Sequence, residues 1–526
     1  MVYDAIIIGS GGAAYSAAIT LKEQNKNILI ITKGSGTNAQ TSQAQGGMNG
    51  VLAHREDSVE SHIQDTLKSA HNLGNKEMIT YMCEHASEAI TWLDSLGVPF
   101  NRDSKNTIDA RKLGGASAAR ANYSSDYSGL KILQTLYDKV ISLQIPILED
   151  SFVLSLLQND PKSICGVSVL DMKTTQISQY LAKNVIMASG GYGGVYHNFT
   201  TNSADTTGDG IVLAYKAGAS IENMELVQFH PTALKDKFIL VSESARGEGG
   251  YLVTKNGDRF VDELLPRDIV AREIYKKFLH GEEVYLDLRH LGYEKIHHLM
   301  PQEYKITLDY LGIQMDKELV PIIPAVHYSM GGIKVNQDLK TSLNNLYAIG
   351  ECSSCGVHGA NRLGGNSLLE IVVMGRKVAR ALEYTQEIEQ KEYDNFLEDK
   401  KYIENIFEKE GEAFYKDRNT LGKKLYYKCG VFRNKIDLQV CQELINDDMT
   451  KFDKYALSDK SKIYNLNLKH YLEFSNILEC ARLIVESAIS REESRGAHYR
   501  DDFKNEDEKA YNIVIQKEKG VMKQWL

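Results

Sequence analysis

The first 33 residues restrict the fold more than any other stretch of this 526-residue chain. YDAIIIG is a short apolar run rich in Ile, the pattern of a buried strand, and AYSAAITLKEQNK reads as a helix. A second apolar run, NILIITK, closes a βαβ unit. Between the first strand and the helix lies GSGGAA, with Gly9, Gly11 and Ala14 at the GxGxxG/A positions. The first glycine allows a tight turn and the second lets the backbone approach a pyrophosphate. The small third residue lets helix and strand pack closely, and the helix N-terminus favours negative charge. A bare GxGxxA arises by chance in many glycine-rich turns. Placed after a strand and before a helix, it makes Gly9, Ser10, Gly11, Gly12, Ala13 and Ala14 a dinucleotide cradle. The second strand ends in Lys33, where an NAD-binding unit usually carries an Asp or Glu for the ribose. That departure counts against NAD and leaves FAD open.

Two later segments repeat the strand-then-glycine theme. NVIMASGGYGG (184–194) closes on paired glycines, and NNLYAIGE (344–351) closes on Gly350 and Glu351. An acid at the carboxyl end of a core strand suits a sugar-like hydroxyl chain, such as the ribityl group of FAD. The nucleotide-binding unit is therefore expected to be completed late, around an insertion at roughly 231–330. The insertion has its own hairpin signal, YLVTKNGDRFV with an Asn-Gly turn, then a helix from PRDIVAREIYKKF and a strand in VYLDLRH. Beyond about 386 the chain turns to Lys/Glu-rich helical segments. The expected architecture is α/β: a Rossmann-like FAD-binding domain (1–230 and 331–385), an inserted α+β capping domain (231–330), and a helical C-terminal domain with a charged tail (386–526). Two to four domains suit this length.

Composition narrows the partners. A net charge of -9 argues against nucleic acid. No apolar run reaches the roughly 18 residues of a membrane-spanning helix, and the N-terminus shows no export signal. Seven scattered cysteines, an odd number, fit a reducing cytoplasm better than a disulfide framework. Cys352 and Cys355 form a CxxC, but no second pair completes a zinc site and no function is placed on them.

Residues with clear chemistry cluster at the edges of the insertion. VQFHPTAL supplies His230 and Thr232; SESARGEGG supplies Ser242, Glu243, Arg246 and Glu248. PRD supplies Arg267 and Asp268, AVHYSMGG supplies His327 and Tyr328, and HGANRLGGNSL supplies His358, Asn361, Arg362 and Ser367. Singly, each has a bland explanation as a turn residue or a solvated charge. Together they bracket a domain inserted into a flavin fold, and a cleft between the two is the expected ligand site.

In order, HPT, RGEGGYLV, PRDIVAR, HYSMGG, GEC and HGANRLGGNSL resemble the flavoprotein subunit family of succinate dehydrogenase and fumarate reductase, which includes L-aspartate oxidase. The likeness runs from residue 4 to about 385 and resumes at ESRGAHYRDDF (493–503). It implies FAD and a four-carbon dicarboxylate stacked in the interdomain cleft. FAD would lie along the cradle, Lys33, the loop of Gln40, Thr41, Ser42, Gly46 and Gly47, and also Asp209, Tyr328, Glu351, Ser367 and Leu368. Arg362 and His327 would grip one carboxylate, while His230 and Ser242, the latter where Thr is common, would hold the other. Carried over by position, Arg267 would be the acid that protonates the substrate, with Glu243 and Arg246 relaying protons to it and the flavin exchanging the hydride. The resemblance also implies an iron-sulfur subunit and, through it, a membrane anchor. The location implied is cytoplasmic, peripheral on the inner membrane.

Two positions separate the branches. The usual SHTxxAQGG form, in which His binds FAD covalently, is here AQTSQAQGG, with Gln40 at the His position. An amide cannot form that bond, so noncovalent FAD and a tilt towards fumarate reduction are expected. The alternative reading is L-aspartate oxidase, which makes iminoaspartate. Its REGG stretch, whose Glu can pair with the substrate ammonium, is here RKLGG, with Leu113 in the Glu place. An apolar side chain gives an ammonium no partner. An FAD-dependent electron relay without substrate chemistry would need none of the dicarboxylate residues.

Overall fold

The structure, a computed structural model, describes residues 1–526. Ala5–Ile8 and Ile28–Ile31 are adjacent parallel strands joined by the helix Gly12–Glu23. Every residue of both strands is buried, which explains their unbroken apolar runs. The sheet has five parallel strands in the order Leu346–Ala348, Val185–Met187, Ala5–Ile8, Ile28–Ile31, Ile147–Leu148. The late segment 344–351 thus joins a sheet begun at residue 5. Because the strands run parallel, the loops after Ile8, Ile31, Met187 and Ala348 leave by one edge, where ligands of such sheets bind. The helix Asn366–Ala381 packs on the helix Gly12–Glu23. Their approach leaves no room at Gly375, where a Cβ would lie 2.7 Å from the Ala13 carbonyl.

The inserted region is built on an antiparallel sheet ordered Val227–Leu234, Val320–Ser329, Val284–Asp287, Tyr251–Thr254. It has a buried apolar cluster of its own, including Leu252, Val270, Leu286 and Ile322. Its first strand starts before 231, so a boundary there cuts through Val227–Leu234. The Asn256-Gly257 turn forms, with Gly257 at φ 89°, but the hairpin does not extend. The returning arm makes one bridge, Val253 with Arg259, and Tyr251–Thr254 pairs with Val284–Asp287 instead. The reason lies in Glu263, whose carboxylate accepts the Leu252 N–H and two Arg259 N–H groups. A side chain, not a ladder, holds that arm.

The helices Asp394–Glu408, Tyr415–Lys428, Lys435–Lys451 and Leu466–Ser490 follow. They do not stand apart, since Leu425, Leu478 and Ile484 share one buried cluster with Ile6, Val167 and Phe229. Nor is the tail loose. Tyr511–Gln516 and Gly520–Trp525 form a hairpin that extends the sheet of Ile221–Glu222 and Gly332–Lys334. The charged stretch before it turns inward. Arg491 Nε meets Glu225 at 2.6 Å and its Nη1 meets Glu493 at 2.7 Å, all wholly buried. Glu225→Gln removes one of the two acids of Arg491 and is expected to lower unfolding free energy by about 1–3 kcal/mol. Chemical denaturation of the holoprotein measures it; an unchanged midpoint would contradict the pairing's weight.

No helix is long and apolar enough to cross a membrane. No group of three His, Cys, Asp or Glu is placed to hold a metal ion, and all seven cysteines, Cys352 and Cys355 among them, are free and buried.

Candidate active site

A cleft of about 1760 Å³, its mouth included, runs between the strand edge and the capping sheet. The parallel sheet and its helix contribute Gly9, Ser10, Gly11, Gly12, Ala13, Lys33 and Glu351. The loop after the second strand contributes Gln40, Thr41, Gly46 and Gly47, and Asp209, Ser367 and Leu368 come from helix starts further on. The capping side brings His230, Ser242, Glu243, Arg267, His327 and Tyr328, and the loop before the helix Asn366–Ala381 brings Arg362. Three expected residues do not line it. Ala14 is sealed in helix-sheet packing, and the Ser42 hydroxyl donates to the Ala39 carbonyl at 2.8 Å. Arg246 lies behind the wall, fully enclosed.

The residues of the cradle fit a dinucleotide. Gly9 sits at φ 120°, and a Cβ there would lie 2.1 Å from the Ala188 carbonyl. The helix Gly12–Glu23 starts at Gly11 with no side-chain cap and no acid in its first turn. Most of its first N–H groups are therefore left for an anion. Only the Gly12 N–H is used, donating to Thr41 Oγ1 at 3.1 Å, which fixes the neighbouring loop. Glu351 Oε1 accepts from the N–H and hydroxyl of Ser329, each at 2.9 Å, and burial pushes its carboxyl up to about 7. Lys33 lines the cleft but spends its ammonium on Asp209 at 2.6 Å and Glu473 at 3.0 Å. Gln40 Oε1 accepts the Ser203 N–H at 2.9 Å and so ties two loops together.

At the capping side the charges form one array. Glu243 Oε2 accepts from Arg267 Nε at 2.9 Å and from its Nη2; Glu243 Oε1 is 3.6 Å from Arg246 Nη2. Burial alone would raise the Glu243 carboxyl, but Arg267 and Arg246 hold it below the ordinary carboxylate value. Arg362 has no acid partner and lies over the Tyr328 ring, 4.2 Å from its centroid. Burial, with Arg267 beside it, brings the Arg362 guanidinium down to about 10. The rings of His230 and His327 are 4.8 Å apart. His230 Nδ1 sits against the backbone of Thr232 and His327 Nδ1 against Thr201 Oγ1 at 2.8 Å, which leaves Nε2 of each for a ligand. Burial drives both imidazoles well below their ordinary value, so both are neutral donors at pH 7. Ser242 caps the short helix Glu243–Gly247 and accepts the Ser244 N–H at 3.2 Å, which leaves its own proton to donate.

Sequence reasoning missed Gln228 and gave Asn361 no role. Gln228 accepts from Arg267 Nη1 at 3.0 Å and donates to Asn361 Oδ1 and the Arg362 carbonyl, each at 2.8 Å. It stands two residues before His230 on the same strand, so strand alternation was the signal that places both on one face. Glu370 was missed as well; it accepts from the Tyr328 hydroxyl at 2.8 Å and pairs with His358 at 2.9 Å.

A dinucleotide cradle opening onto an enclosed array of guanidiniums and imidazoles defines a flavin-dependent oxidoreductase. Residues 4–368 match the family described as FAD binding domain, and 418–521 match fumarate reductase flavoprotein C-term. The chain is 34% identical to the fumarate reductase flavoprotein subunit of Haemophilus influenzae over 97% of its length and 90% of the relative's. It is also 34% identical to the succinate dehydrogenase flavoprotein subunit of Rickettsia conorii, over 95% and 90%. A solved structure of Escherichia coli quinol fumarate reductase matches with a TM-score of 0.94 at 31% identity, over 100% of this chain and 96% of that one. The chain belongs to the fumarate reductase/succinate dehydrogenase flavoprotein family.

Proposed function

We propose that the chain interconverts fumarate and succinate and favours fumarate reduction, as the catalytic subunit of a multi-subunit enzyme. One observation carries the reading. The enclosed site holds three guanidiniums, Arg246 and Arg267 from the cap and Arg362 from the FAD-binding part, against one ionised partner, Glu243, and a dicarboxylate dianion supplies the two charges lacking. Taking such a dianion out of water requires cations and donors in place of its hydration. Arg362 and His327 suit one carboxylate, His230 and Ser242 the other. FAD, when bound, supplies or accepts the hydride. Arg267 gives a proton to the second alkene carbon; Glu243, ionised at rest, takes up a proton that enters from solvent by way of Arg246 and passes it on to Arg267. Leu113, buried and lining the cleft, offers an ammonium no partner. L-Aspartate oxidation is accordingly not favoured, in keeping with the relatives.

With Gln40 in the loop, FAD is held noncovalently. Acid precipitation is expected to release the yellow colour from the protein pellet, and colour kept in the pellet would refute it. Residues 231–330 act as the closing cap over the FAD-binding part (1–230 and 331–385), with 386–526 as the helical remainder. The chain passes electrons through an iron-sulfur subunit that is joined to a membrane anchor, which places it peripherally on the cytoplasmic side. The substrate reading is tested by adding succinate or L-aspartate to the oxidised holoprotein without oxygen. Succinate should bleach the flavin absorbance; bleaching by aspartate alone would overturn the reading.

A further inference from the structure

One buried acid has no part in the chemistry above. Glu303 lies on the helix Pro301–Leu311 of the inserted region and has no exposed surface. Its Oε1 accepts the Ser242 N–H at 2.8 Å, while its Oε2 meets no partner. The same helix has no side-chain cap of its own. Its first N–H groups are taken from a distant part of the chain: Asp126 Oδ2 accepts from Gln302 at 2.7 Å and from Glu303 at 3.1 Å. Asp126 precedes the helix Ser128–Ser142 beside the nucleotide-binding sheet. A single helix thus connects the seat of the inserted region, on Asp126, to the turn that carries Ser242, Glu243 and Arg246.

We infer that Glu303 is a positioning residue of the dicarboxylate site, holding the Ser242 turn in register with the seat on Asp126 through an acid group rather than a charge. This rests on the reading of Ser242 as a donor to a substrate carboxylate. An ionised carboxylate with one hydrogen bond and no committed cation is what burial disfavours most. The charged groups facing Glu303 are Asp126 and Arg111. Arg111 gives its Nε to the Gly46 carbonyl at 3.0 Å and its Nη2 to those of Gln45 at 3.3 Å and Ser125, and its remaining Nη1 makes no hydrogen bond to Glu303. Burial pushes the Glu303 carboxyl up to about 8 against the pull of the Ser242 N–H, and Asp126 adds to the rise. At neutral pH the group keeps its proton and serves as an acceptor through its carbonyl oxygen. Gln is then its near equivalent, and an apolar residue of similar bulk is not.

The experiment compares Glu303→Gln and Glu303→Leu with the wild-type holoenzyme, assaying fumarate with a reduced viologen and recording FAD content. Loss of the acceptor in Glu303→Leu should raise the fumarate KM by about 10-fold with a smaller change in kcat, and Glu303→Gln should restore it. Equal damage in both variants, or none in Glu303→Leu, overturns the inference. Thermal unfolding adds an arm that needs no turnover. A carboxyl whose folded value lies above its unfolded value loses folded-state stability as pH rises between the two. The Tm of Glu303→Gln should therefore gain on wild type from about pH 5 to about pH 8, the window between the two values. A flat or falling difference overturns the uncharged state, and this arm decides if Glu303→Leu does not fold. Wild-type protein inactive on fumarate would instead defeat the functional reading, with the thermal arm still testing Glu303.

Discussion

Arg267→Ala is expected to lower fumarate turnover by about 10²–10⁴-fold, the usual worth of a positioned general acid, with FAD content unchanged. Arg267 is the guanidinium that both lines the cleft and contacts Glu243, so its loss breaks the proton route at its inner end. Arg267→Lys should recover little. A point ammonium cannot hold Glu243 and Gln228 together as the planar fork does. Viologen should still reduce the flavin in either variant, which separates a catalytic Arg267 from an electron relay. Retained fumarate turnover in Arg267→Ala would remove it from the chemistry.

Arg362→Met acts on a different quantity. Arg362 is enclosed and free of protein acids, so its interaction energy is available to a ligand carboxylate. Truncating one partner of a buried charge pair costs about 2–5 kcal/mol, or roughly 30- to 5,000-fold in kcat/KM. Most of that loss should fall on KM and on the affinity for succinate measured by flavin difference spectra. Arg362→Met should keep its flavin, because the cradle at Gly9 to Ala13 lies on other elements. Unchanged succinate affinity would remove Arg362 from the substrate grip.

The parts of the fold legible in the sequence were those where one local pattern decides the outcome. Apolar runs closing on glycine at 5–9 and 346–350 became core strands, because buried parallel strands need apolar residues on both faces. The motifs that bracket the insertion carried the family. Side-chain commitments were not legible: Glu263 replaced a hairpin ladder, and the charged run at 491–500 turned inward to pair with Glu225 and Glu493. Arg491 and Glu225 stand 266 positions apart, and Glu263 reaches Leu252 and Arg259 from an irregular turn, so a period of 2 or 3.6 encodes neither. The same holds for the site. The cationic residues announced themselves by motif and Gln228 by its place two residues before His230, whereas Glu303 and Glu370 became visible only through what they touch. Lys33 showed the converse, a cleft residue whose charge is already spent on Asp209 and Glu473.

The most direct test of dicarboxylate chemistry at this site is a paired assay on the purified holoprotein. Fumarate-dependent oxidation of a reduced viologen is measured beside peroxide production from L-aspartate. Rapid viologen oxidation with fumarate, and no peroxide from aspartate, is the expected result. Peroxide from aspartate with no fumarate activity would contradict it.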